Sequence, residues 1–239
     1  TQQLAPTGAL RVCINLGNAL LAQLDPTNQE PQGISVELAQ ALAKQLDAEL
    51  QIQLVNTAKE SVATVANKDA DLGFFAIDPA RAKDIAFTQA YLHIDACYVV
   101  RKVSAIHTEQ DLDQTNSRIV VGLGSAYDLF LTRHLKHALI VRAPSSPAVV
   151  DVFMAQQLEV AAGVKQQLEM DAKRLPNLRL LPGRFMVIEQ AMGLPKTRSP
   201  EAQAYLKKFV EEMKASGFVA EALKRHGVEG VSVAPAAAH

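Results

Sequence analysis

The chain predicts an α/β fold of two lobes joined by a two-strand hinge, and three observations carry that prediction. Short apolar runs rich in β-branched residues alternate with amphipathic stretches from Leu10 onward, the pattern of buried parallel strands and covering helices. Beyond about residue 104 the composition resets, and the same alternation builds a second core up to about residue 186. A last long apolar strand, Phe185–Leu194, then follows, and the cheapest topology sends it back to the first sheet. The smaller lobe, 103–186, is therefore expected to be inserted in a larger discontinuous lobe, 1–102 plus 187–239, with a ligand cleft between the lobes.

Composition bounds the class. A chain of 239 residues can bury a full core. Its 49% hydrophobic and 21% charged residues are ordinary for a globular protein and argue against disorder. A net charge of -1 argues against nucleic-acid binding, which calls for a basic face. No apolar run approaches the length of a membrane span. Thr1 opens a polar segment, so no signal peptide is expected, and the chain reads as cytosolic or as a processed secreted form. Cys13 and Cys97 sit among apolar neighbours and are expected to be buried free thiols; neither belongs to a CxxC pair.

Taken in order, Leu10–Leu16 (LRVCINL) is a buried strand ending in Gly17-Asn18. A polar loop, Asp25–Gln32, leads to Ser35, expected to cap a helix whose apolar positions are Leu38, Ala41, Leu42 and Leu46. Glu49–Val55 alternates as a second strand, and Lys59–Lys68 is a helix. The strand Leu72–Ala76 then runs into a sharp corner, with Asp78 as cap and Pro79 at the first position of a third helix. Tyr91–Arg101 is a longer strand. In the second lobe, strands are expected at Arg118–Val121, Leu139–Arg142, Val160–Val164 and Leu178–Leu181, with helices at Thr108–Leu112, from Ser125 through Leu135, from Ser146 or Pro147 to Gln156, and after Val164. Two helices close the chain, Pro200–Ser216, with Ala204, Phe209, Val210 and Met213 on one face, and Phe218–Arg225. The small apolar tail from Val233 is expected to be unstructured.

The corner after Leu72–Ala76 is the first candidate site. Arg81 lies beyond the end of a buried strand, where open α/β sheets hold ligands, and its planar fork suits a carboxylate. The alternative is an arginine paired with Asp78 or Asp84 on a solvated helix. His134 and His137 stand three apart without cysteine or acidic companions, so a solvated helix face is preferred to a metal site, and no metal or cofactor is expected. There is no P-loop, GxSxG, HExxH or dinucleotide fingerprint.

The stretches GALRVCIN, GISVELAQALAKQL, DADLGFFAIDPARAKDIAFTQAY, VVGLGSAYD, LEVAAG and EEMKASGFVAEALKRHG, in this order and spacing, resemble the type II periplasmic solute-binding proteins. More specifically they look like the family-3 group that serves polar amino-acid ABC transporters, from Gly8 to about Gly230. The resemblance implies a monomeric Venus-flytrap protein in the periplasm that closes on a small solute and presents it to a membrane permease of an ABC transporter. It implies that Arg81 holds a ligand carboxylate and that Ser125, with Ala126 beside it, adds donors to the same group.

Three positions depart from the amino-acid-binding pattern. Ala76 stands where a hydroxyl residue is usual, and Asn18 is followed by Ala19, Leu20 and Leu21 where an aromatic wall is common. Gly163-Val164-Lys165 lacks the acid that meets an α-ammonium. Since a buried ammonium without a carboxylate is strongly penalised, the expected ligand is a carboxylate-bearing solute other than an ordinary α-amino acid. Glu189, with Gln190 in the predicted hinge strand, is the acid that could restore amino-acid binding. Tyr127 and Asp128 either reach the cleft or cover the helix start, Phe75 either lines the pocket or joins the core, and Lys165 is read as solvated in preference to a second anion contact. Two other functions fit the same resemblance: a prephenate or arogenate dehydratase, with Glu189 as general acid, and the sensing domain of a receptor.

Overall fold

The computed structural model describes residues 3–238, which divide into two compact units, 3–93 with 189–238 and 94–188. The chain begins with β1 (Ala9–Asn15), a two-residue ladder of β2 (Gln23–Leu24) and β3 (Pro31–Gln32), and α1 (Ile34–Leu46). β4 (Glu49–Val55), α2 (Ala58–Ala66) and β5 (Leu72–Ala76) follow, then one 3-10 turn at Arg81–Lys83 and β6 (Ile85–Phe87). β7 (Leu92–Arg101) carries the chain into the second unit. There it forms α3 (Glu109–Leu112), β8 (Arg118–Gly122), α4 (Ala126–His134), β9 (Leu139–Ala143), α5 (Val149–Ala155), β10 (Val160–Val164), α6 (Lys165–Arg174) and β11 (Leu178–Leu180). β12 (Met186–Pro195) returns, and α7 (Pro200–Ala215), α8 (Phe218–Arg225) and β13 (Ser232–Val233) complete the chain.

In the first unit the strand order is β4-β1-β5-β12, parallel except for the antiparallel pair of β12 with β5. β1 and β5 are flanked on both edges, so they read as near-continuous apolar runs, and Leu10, Val12, Ile14 and Leu72 are fully buried. The Cys13 side packs against Val55, Val65, Ala70, Phe75 and Ile85. One buried carboxylate ties the sheet to the segment before α7. Asp71 accepts from Arg11 N at 2.9 Å and from Arg11 Nη2 at 2.9 Å, while Arg198 Nη2 donates to it at 3.0 Å. In the second unit the order is β7-β10-β8-β9, with β8 parallel to both neighbours and β7 antiparallel to β10. Val120, Ala143, Val149, Phe153, Ala161 and Leu168 belong to its core, with Cys97 among them. Both cysteines are free and buried, as expected.

Four details correct the sequence reading. Gly33, not Ser35, precedes α1: its φ of 118° suits only glycine, and Ser35 is already inside the helix, 2% exposed. The third helix is a single 3-10 turn, because Ile85 to Phe87 must pair with Leu194 and its neighbours in β12, which leaves no room for an α-helix. The buried face of α7 is Ala202, Leu206, Phe209 and Val210, and Ala204 is exposed. The tail is ordered as far as it is described. Val233 pairs with Leu92, Ala234 is 5% exposed, and Ala237 N donates to Glu211 Oε1 at 2.8 Å.

Candidate functional site

In the first unit the site begins with β5, whose five residues are all buried; β1 pairs with its start at Leu72 and Gly73, and β12 pairs with it through Ala76 at its end. Ile77 N donates to Glu189 O at 2.9 Å, and Asp78 Oδ1 accepts from Ala80 N at 2.7 Å, which turns the chain sharply. The turn brings Arg81 back under the strand, where Nη1 donates to Ala76 O at 3.1 Å and the residue is only 6% exposed. Burial pushes its pKa down to about 10 against the opposing charge of Asp78, so the group stays cationic at neutral pH. Ala76 thus contributes a backbone carbonyl that orients the guanidinium. Gln190 pairs with Ala76 across the sheet and is itself buried, 5% exposed. Arg81 is therefore not on a solvated helix face; Asp78, whose charge acts on it, is buried as well, 3% exposed.

In the second unit the corner follows β8. A Cβ on Gly122 would lie 2.9 Å from Ser146 N and Cα, so glycine is required for the loop before α5 to approach the strand end. Gly124 takes a φ of 71°, and Ser125 then caps α4, its Oγ accepting from Asp128 N at 3.1 Å. Asp128 Oδ2 accepts from Gly124 N at 2.8 Å, closing a reciprocal cap. With Asp128 N so used, the amides of Ala126 and Tyr127 are the first-turn donors for which the helix itself has no acceptor. Tyr127 is 2% exposed and its hydroxyl donates to Ser146 Oγ at 2.8 Å; burial raises its pKa above the ordinary phenol value.

On the neighbouring strand β10, Gly163 and Val164 are buried, and Val164 precedes α6 without a side-chain cap. The strand end therefore presents an aliphatic group. Lys165, partly exposed, lies 3.9 Å from Glu169 within the same helix.

Ala76, Arg81 and Gln190 thus meet in the first unit, while in the second Ser125, Ala126 and Tyr127 gather at the end of β8, with Gly163 and Val164 at the end of β10. Three candidates stand apart. Phe75 is a core residue, 3% exposed, with its ring edge-on to Phe87 at 6.2 Å. Asn18 turns its side chain onto its own loop, Oδ1 accepting from Leu20 N at 3.2 Å. Glu189 is exposed rather than buried, because successive side chains of β12 alternate and Gln190 takes the inward place. The sequence reading missed Ser146 and Arg142 as supports of the second corner. The spacing Ser125-x-x-Asp128 was the available sign that Asp128 serves the cap.

The chain belongs to the bacterial extracellular solute-binding proteins, family 3, whose description matches residues 10–229. Its α/β fold is that of the type II periplasmic binding proteins. Among solved structures, a mutant of ArgBP from T. maritima is similar at 19% identity and a TM-score of 0.79, covering 95% of this chain and 99% of that one. The amino acid ABC transporter substrate-binding protein AbpA from Streptococcus pneumoniae, bound to L-arginine, also shows 19% identity and a TM-score of 0.79, covering 95% and 97%. The ancestral amino-acid-binding protein AncCDT-1, a precursor of cyclohexadienyl dehydratase, shows 19% identity and a TM-score of 0.76, covering 94% and 97%. At such identities these structures share the fold alone. No curated protein sequence matches the chain.

Proposed function

We propose that the protein is the periplasmic solute-binding component of an ABC transporter, which captures a small carboxylate-bearing solute by lobe closure and delivers it to a membrane permease. The solute is an organic acid or a non-standard amino acid. The observation that carries this reading is Arg81: a guanidinium 6% exposed, aimed by Ala76 O, is a buried cation with a planar fork placed just beyond the end of β5. The serine-capped start of α4 supplies backbone donors of the kind that bind carboxylates. Val164 at the end of β10 supports a ligand without an ordinary α-ammonium, since an aliphatic group cannot neutralise one.

A thermal-shift screen of ligand-stripped protein tests the proposal, setting the standard amino acids against mono- and dicarboxylates, keto acids and aromatic acids. A ligand at a hundred times its dissociation constant adds about 2.7 kcal/mol of stability. Carboxylates without an amino group are expected to stabilise the protein, and Arg81→Met to abolish the shift. Stabilisation by α-amino acids alone would overturn the specificity argument, and turnover of prephenate or arogenate would replace transport with catalysis.

A further inference from the structure

We propose that Arg142 and Thr132 hold the Asp128 carboxylate as a neutralised positioning group, which fixes the Gly124–Ser125 corner while keeping the start of α4 receptive to an anion. This deepens, and rests on, the carboxylate-binding reading above. Asp128 is 3% exposed and its carboxylate is engaged on every side. Gly124 N donates to Oδ2 at 2.8 Å, and Thr132 Oγ1 donates to Oδ1 at 3.0 Å. Arg142 Nε reaches Oδ1 at 3.2 Å and Oδ2 at 3.1 Å, and Arg142 Nη2 donates to Thr132 Oγ1 at 3.0 Å. The parallel register of β8 and β9, Val121 with Arg142 and Gly122 with Ala143, delivers the arginine to this corner.

The network exceeds what a helix cap requires. Ser125 already caps α4, and a carboxylate at Asp128 stabilises the helix start through the dipole without help from an arginine. The same negative charge, however, belongs to the same first turn as the amides that would receive the ligand's carboxylate, and like charges at that range repel. Asp128 must therefore be kept for its grip on Gly124 and silenced for its charge. Arg142 performs the second task at small cost, since its own side chain remains 41% exposed while that of Asp128 is 4% exposed.

The test separates charge from structure. The wild type, Arg142→Gln, Arg142→Lys and the double variant Arg142→Gln/Asp128→Asn are titrated by calorimetry with succinate, pyruvate, benzoate, L-arginine and L-glutamate as probes, and their thermal midpoints are measured without ligand. Arg142→Gln is expected to weaken the best-bound carboxylate about tenfold. Arg142→Lys recovers most of the loss by restoring charge. The double variant recovers it too, because a side-chain amide in place of the carboxylate keeps an acceptor for Gly124 N–H and carries no charge to silence. A merely structural Arg142 would leave the double variant at least as weak as the single one, which overturns the inference. Unchanged affinity in Arg142→Gln also overturns it, while leaving the proposed function standing. Failure of every probe to bind the wild type overturns both together.

Discussion

Arg81 is the buried cation on which the proposed carboxylate site rests. Its guanidinium is pushed down to about 10 by burial, with Asp78 opposing, so both folded and unfolded chains hold the proton at neutral pH. The unfolded chain binds it more tightly, so this group makes stability rise with pH only in the alkaline range between the two pKa values and adds no slope near neutrality. Carboxylate affinity is therefore expected to be flat from about pH 6 to about pH 9 and to fall as pH approaches the arginine's own titration. Isothermal titrations across that range check it; a fall centred near pH 6.5 would assign the anion to a histidine instead. The buried place of Arg81 and the capping role of Ser125 were legible residue by residue, because an Arg after a buried strand and a serine after Gly-x-Gly are local signals. Phe75 was not legible, since whether the ring turns to the core or outward depends on Phe87, twelve residues away, and on which strands flank β5. The exposure of Glu189 was not legible for a related reason: alternation along β12 fixes which of two adjacent polar side chains faces inward, and only the register with β5 decides it.

At the scale of elements, strands were read well wherever sheet position gave them continuous apolar runs, as in β1, β5 and β10. Elements failed where a distant partner overrode a local signal. Asp78-Pro79 is a sound helix start, yet the pairing of β6 with β12 stops the helix after one 3-10 turn. The tail failed for the same reason in reverse. Its composition carries no periodicity, but β13 pairs with the start of β7, Ala234 N donates to Tyr91 O at 3.0 Å, and Lys214 Nζ donates to Pro235 O at 3.0 Å. Ending the chain at Gly230 removes these bonds and exposes the surface that Ala234 covers. The expected cost is about 2 kcal/mol, from a few hydrogen bonds of about 1 kcal/mol each partly replaced by water. Urea unfolding of the shortened and full chains, compared at equal slope, checks this, and coincident midpoints would return the tail to the status of a passive extension.

For the molecule as a whole, the two units differ in how their stability is coupled to acid. In 94–188 the Glu159 carboxyl is held below its usual range by its hydrogen bond with Arg118. Asp113 is also lowered: burial works against the shift, but the amides of Ala138, Lys136 and His137 outweigh it. Asp111 is lowered by the His107 amide and by its cap with Thr108. In the other unit Asp25, bound to Thr27, is the carboxyl with a resolved downward shift among the described residues. A carboxyl with a depressed folded pKa contributes stability that is complete above its unfolded value near about 4 and is lost as pH falls through the folded value. Glu109 acts oppositely: burial beside Tyr98 raises its pKa, so its contribution favours the folded unit in acid and fades as pH rises through the folded value. Three depressed groups against one raised group in 94–188, beside a single depressed group in the other unit, give the expectation that 94–188 is the more acid-sensitive unit. Pepsin digestion near about pH 3, read by mass spectrometry, is therefore expected to give first cuts within 94–188 while 1–93 and 189–239 persist. First cuts in the other unit would overturn this ranking.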